Sequence, residues 1–152
     1  MDAHAARTRF QRSLQLLAAA LTLSFGALGC ASETDGCISL PDTCEPALTT
    51  DFNTLYQNVF SRSCGTAGGV MSCHGATANQ GGLSLAAPNA AYDALVGSGT
   101  QARVIRGDPE CSPLMARLTS NDPSVRMPKD GAPLAPGVIC AVQSWIRAGA
   151  AR

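Results

Sequence analysis

The chain has 152 residues, with 11 Lys or Arg balanced by 11 Asp or Glu, and seven cysteines. Setting aside the first 29 residues removes Arg7, Arg9, Arg12 and Asp2, leaving eight basic and ten acidic side chains with no basic patch, which argues against nucleic acid as a partner. About 100 residues follow position 50, enough for one small domain but few for a large core, so a cofactor or disulfides would add needed stability.

The first segment reads as an export signal over residues 1–29. Arg7, Arg9 and Arg12 make a basic start, and Leu14 to Gly29 is uncharged and rich in Leu and Ala. That stretch is short of the roughly 20 apolar residues that span a bilayer. Ala27-Leu28-Gly29-Cys30 resembles a bacterial lipobox, although Ala and Leu stand in the reverse of the favoured order. On that reading Cys30 is acylated and becomes the N-terminus, and the protein is lipid-anchored to a membrane of the cell envelope, facing the periplasm or the exterior. The alternative is a plain secretory signal with Cys30 as an ordinary thiol. Residues 30–50, with Ser32, Thr34, Gly36, Pro41, Asp42 and Pro46 and no apolar periodicity, read as a flexible tether.

A domain is expected over residues 51–150. Thr50-Asp51 suits a helix cap, and Phe52, Leu55, Tyr56, Val59 and Phe60 recur at three and four, placing them on one helical face that runs into Cys64. Gly75 to Pro88 reads as a loop with Gly81-Gly82 at its centre. Asn89 is the expected cap of a short helix through Val96 that Gly97 ends. Ser112-Pro113 has the cap-then-proline order of another helix start, followed by Leu114, Met115 and Leu118. Asn121 to Pro136 holds four prolines and reads as loop. A last helix carries Val138, Val142, Trp145 and Ile146 on one side and stops at Gly149. No alternating strand pattern stands out, so the fold class is all-α.

Cys64, Cys73 and His74 are the residues with chemistry to explain. Two thiols followed directly by a histidine is the order in which an exported protein takes a covalent haem c: the thiols add to the two vinyl groups and the imidazole reaches the iron. The usual motif separates the cysteines by two residues, and here eight intervene, with Gly65, Gly68 and Gly69 among them. A disulfide between Cys64 and Cys73 with His74 as a surface residue is the plainer alternative. Zinc ranks below both, since His74 is the one histidine left after the signal is removed. Reserving Cys30 for lipid and Cys64 and Cys73 for haem leaves Cys37, Cys44, Cys111 and Cys140. The simplest pairing joins Cys37 to Cys44 within the tether and Cys111 to Cys140 across the domain, with the connectivity otherwise open.

Several short segments occur in a telling order. They are the apolar helix into Cys64, Cys73-His74-Gly75, Gly81-Gly82-Leu83-Ser84-Leu85, Val104-Ile105-Arg106-Gly107-Asp108-Pro109, Ser112-Pro113-Leu114, Arg126-Met127-Pro128 and Trp145-Ile146-Arg147-Ala148-Gly149-Ala150. In that order they resemble a small cytochrome c, more narrowly the planctomycete-type cytochrome c domains of bacterial envelope proteins. The resemblance implies one covalent haem c, with His74 as proximal and Met127 as distal iron ligand. Pro128 supports the latter by biasing Met127 toward extended backbone. Met71 and Met115 are competitors, read as packing residues. The implied function is electron transfer between redox protein partners in the envelope, not enzymatic turnover, because iron held by both His and Met has no open position. A haem-free, disulfide-stabilised binding or structural domain on the same fold is the second reading.

Overall fold

The computed structural model describes residues 36–65, 73–97 and 102–152, so the segment expected to be an export signal, Cys30 and Met71 lie outside the described residues. Asp51 opens the first helix. Its carboxylate accepts the Thr54 N–H at 2.9 Å and the Thr49 hydroxyl at 2.7 Å, capping α1 (Phe52–Leu55) as the sequence predicts. The chain continues directly as a π-helix over Tyr56–Cys64, a wider winding than the three-and-four spacing suggests. The predicted face is nonetheless the buried one, since Phe52, Leu55, Tyr56, Val59 and Phe60 are all in the core.

Among the described residues three further α-helices follow: α2 (Pro88–Val96), α3 (Pro113–Thr119) and α4 (Pro136–Arg147). Each starts on a proline, whose missing N–H costs nothing in the first turn and whose fixed φ suits the helix. None uses a side-chain cap. Asn89 therefore lies within α2 instead of capping it, because Pro88 already starts the helix and Ala87 occupies the cap position. Ser112 does precede α3, but its hydroxyl is spent elsewhere. It receives the Ile105 N–H at 2.8 Å and donates to the Asp108 carbonyl at 2.7 Å, holding the loop before α3 closed. Among the described residues no strand forms; the β-type pairing present is an isolated bridge between Ile105 and Asp108. The domain is all-α, as expected. No described helix is long and apolar enough to cross a membrane.

Phe52 is the hub of the core. Its ring lies 5.0 Å from that of Tyr92, edge-on, 5.6 Å from Trp145 and 6.1 Å from Phe60. Such aromatic pairs contribute about 0.5–1.5 kcal/mol each beyond the area they bury. Trp145 is 1 % exposed, yet its indole N–H is satisfied by the Ala151 carbonyl at 2.7 Å. α4 thus supplies one wall of the core through Ala141, Val142, Trp145 and Ile146.

Residues 36–50 correct two expectations. The disulfides are Cys37–Cys111 and Cys44–Cys140, not Cys37–Cys44 and Cys111–Cys140. The reason is the course of the backbone. Ile38 N–H donates to the Glu110 carbonyl and Ala47 N–H to the Gly137 carbonyl, both at 2.9 Å, while Gln143 Nε2 donates to the Pro41 carbonyl at 2.7 Å. These bonds lay the segment along α4 and the loop before α3, so each cysteine meets the domain cysteine nearest to it. At Gly137 a Cβ would stand 2.8 Å from that of Ala47, so glycine permits the close approach. From residue 36 onward the expected tether is therefore a strap bound to the domain.

Candidate functional site

Cys64 ends the π-helix, and from its carbonyl a short ladder builds the site. The Cys64 carbonyl accepts the His74 N–H at 3.1 Å, the Cys73 carbonyl accepts the Gln80 N–H at 2.9 Å, and the His74 carbonyl accepts the Leu85 N–H at 2.6 Å. The Gly81-Gly82 turn makes this return possible. Both glycines take positive φ, 63° and 71°, a region that side chains resist. The turn brings the Leu83 carbonyl to 3.3 Å from His74 Nδ1. With the ring proton on Nδ1 and donated to that carbonyl, Nε2 keeps its lone pair.

Met127 reaches the same place from the other side. Its N–H donates to the Arg117 carbonyl at 2.9 Å, tying it to α3, and its peptide bond to Pro128 is cis. The loop before it is braced by Asp122, whose carboxylate accepts the Ser124 N–H at 2.8 Å and hydroxyl at 2.7 Å. Those bonds hold the Asp122 carboxyl below the usual carboxylate range.

Between these segments lies a cavity of about 460 Å³. Cys64, His74 and Met127 all line it, with Phe60, Leu85 and Leu118 supplying apolar wall. Its volume is within the range of small-molecule and cofactor sites. Burial pushes the Cys64 thiol up to about 11, and the neighbouring Cys73 adds to the shift, so at neutral pH Cys64 is a protonated thiol and not a thiolate. Cys73 and Cys64 are both unbridged. Cys73 directly precedes His74 but is not among the described lining residues. Met115 is fully buried in the core and away from the lining, consistent with packing.

Among the lining residues that escape the sequence reading are Arg103 and Arg117. A signal exists for the second. Leu114, Arg117 and Leu118 stand three and four apart on α3 and therefore share a face, which makes Arg117 part of the cavity wall.

Among known proteins, residues 71–131 match the family model described as Planctomycete cytochrome C. No curated protein and no solved structure matches the chain. The matched span holds His74, Met127 and most of the cavity wall, and leaves Cys64 and α4 outside. Over that span the chain is similar to the family that the ordered motifs resemble.

Proposed function

We propose that the domain is a single-haem c-type cytochrome that carries electrons in the bacterial cell envelope. The observation that carries this is the convergence of Cys64, His74 and Met127, distant in sequence, on one largely apolar cavity. The donor set fits the group. His74 and Met127 would hold the iron of a haem, and the porphyrin would supply its remaining donors. The imidazole of His74, oriented by a backbone carbonyl, and the thioether of Met127, on a braced loop, suit that role. When bound, haem supplies one-electron redox chemistry.

The chain's own part is to position and to exclude. His74 would be held by the Leu83 carbonyl and Met127 by the Arg117 carbonyl, while the apolar wall keeps water from the iron and favours its reduced state. Cys64 and Cys73 would form the thioethers. With His74 and Met127 both holding the iron, the domain would pass electrons between redox protein partners and not turn over substrate. Export with a lipid at Cys30 would fix it to a membrane, facing the periplasm or the exterior. These statements rest on the sequence motifs.

The test is production in a host competent for c-type maturation, followed by haem staining after denaturation and by intact mass. A mass increased by one haem, with the colour retained, is expected. A mass lower by two hydrogens with no haem establishes a Cys64–Cys73 disulfide and overturns the proposal.

A further inference from the structure

We propose that residues 105–107 form the face of the domain that lies on the membrane surface, with Ile105 seated at the boundary between lipid headgroups and acyl chains; this rests on the reading of Cys30 as a lipid anchor. The Cys37–Cys111 disulfide is what would make that anchor directional. Six residues separate Cys30 from Cys37, and whatever conformation they take they reach at most about 25 Å, less than the roughly 30 Å diameter of a small domain. A tether running free to residue 50 would reach about 70 Å and let any face turn to the bilayer. Fastened at Cys111, the domain is instead held to the bilayer by the surface around that residue.

Ile105 belongs to that surface. Its N–H donates at 2.8 Å to the hydroxyl of Ser112, the residue after Cys111, while the Cys111 N–H donates to the Asp108 carboxylate at 3.0 Å and the Ile38 N–H to the Glu110 carbonyl at 2.9 Å. These bonds close residues 105–112 into one loop to which the strap is fastened. Among the described residues Ile105 is the large apolar side chain left exposed, at 44 %. A lone exposed isoleucine is ordinary elsewhere on a surface, but this one stands where the tether brings the bilayer. The charges beside it suit a headgroup layer. Arg106 is exposed, and its guanidinium donates to the Gly149 and Ala150 carbonyls, both at 3.0 Å, and to the Tyr92 hydroxyl at 2.9 Å, all neutral acceptors that leave its charge in place. Of the two carboxylates in the loop, Asp108 accepts the Cys111 N–H and Glu110 is paired with Arg147. An apolar side chain flanked by a cation is the combination that settles at the surface of a bilayer containing anionic lipid.

The experiment takes the full chain from a bacterial host that processes lipoproteins and reconstitutes it into vesicles of phosphatidylethanolamine and phosphatidylglycerol, with Cys30→Ser beside the same vesicles as the unanchored reference. Amide hydrogen exchange, followed by mass spectrometry, is read as the ratio of rates between unanchored and anchored forms, so that a change in the loop's own stability cancels. Residues 105–107 should exchange at least about threefold more slowly when anchored. Ile105→Asp, compared with its own Cys30→Ser form, should bring that ratio near one while the protein stays with the vesicles. Cys37→Ser with Cys111→Ser moves the first fastening to Cys44, about doubles the reach, and should also bring the ratio near one. Circular dichroism melts confirm that each variant is folded. Wild type that carries the lipid and floats with the vesicles, yet shows equal exchange at residues 105–107 or protection of another face in their place, overturns this proposal alone, as does a ratio unchanged in the folded variants. Wild type that lacks the lipid by intact mass and stays in the aqueous phase overturns the anchor reading and this proposal with it.

Discussion

Around Trp145 the chain is closed by interlocked aromatic rings and two disulfides, whereas around His74 it is closed by backbone hydrogen bonds from loops over a cavity. The first region is built mostly of helix, its polar atoms satisfied within the element and its apolar face spent on packing. The second is built of turns, whose carbonyls are left to orient side chains such as His74. Phe60 belongs to both, touching Trp145 at 6.2 Å on one side and lining the cavity on the other. The contrast teaches where this small domain keeps its stability and where it keeps its chemistry. A scaffold of this size has a limited core, and the strap adds two disulfides to it.

The sharpest break of this contrast is Trp145→Ala, expected to cost about 3–5 kcal/mol because it empties the centre of the packed region. Thermal unfolding measures it, and a loss below about 1 kcal/mol would show that the aromatic cluster is not the main support. Next is the double change Cys44→Ser with Cys140→Ser, expected to cost about 2–5 kcal/mol by denaturant titration. Non-reducing peptide mapping of wild type should recover Cys37 linked to Cys111. Recovery of Cys37 linked to Cys44 would detach the strap and dissolve the comparison.

The two methionines sharpen it further. Met115→Ala should destabilise by about 2–5 kcal/mol, since the side chain is fully buried. Met127→Ala, half-buried at the cavity, should cost less in stability and, on the proposed haem reading, open the iron to carbon monoxide. Carbon monoxide binding to Met115→Ala but not to Met127→Ala would reverse the assignment of the distal ligand.

The smallest expected effect is at the entrance to α1. Hydrogen bonds from Thr49 and Thr54 lower the Asp51 carboxyl from 3.8 to about 2 in the folded chain. A lowered folded value means that the contribution is fully present above about pH 4 and is lost as pH falls toward 2. Asp51→Asn can still cap the helix without titrating. The stability difference between wild type and this variant should therefore change with pH only in that acid window, as read from urea midpoints; a constant difference from pH 6 to 2 refutes the role.

Much of the packed region is legible in the amino-acid sequence alone. The spacing of Phe52, Leu55, Tyr56, Val59 and Phe60 marks their common face, and Asp51 marks where it begins, because both signals are local. The cavity is legible only in part, in Cys64, His74, Met127 and the apolar residues of the quoted motifs, through their particular order. The helix starts at Pro88 and Pro136 also follow a local rule, although proline itself, and not an Asn or Ser side chain, does the work. Ser112 shows the limit of such rules: its position is a cap position, but the nearby loop offers its hydroxyl better partners.

By itself the sequence determined an all-α domain, its main apolar faces and the order of motifs in which it resembles the cytochrome c-like family, because periodicity and capping act over a few residues and motif order is a property of the chain alone. Only the tertiary structure decided which cysteines pair, that residues 36–50 are strap, and that Arg103 and Arg117 stand on the same wall as His74 and Met127. The bridged cysteines are 74 and 96 residues apart, a separation that no local pattern encodes. Their partners follow from how the strap's backbone hydrogen bonds lay it along α4, and the cavity wall follows from which faces of the π-helix, the Gly81-Gly82 turn and α3 the packed core leaves turned toward one another.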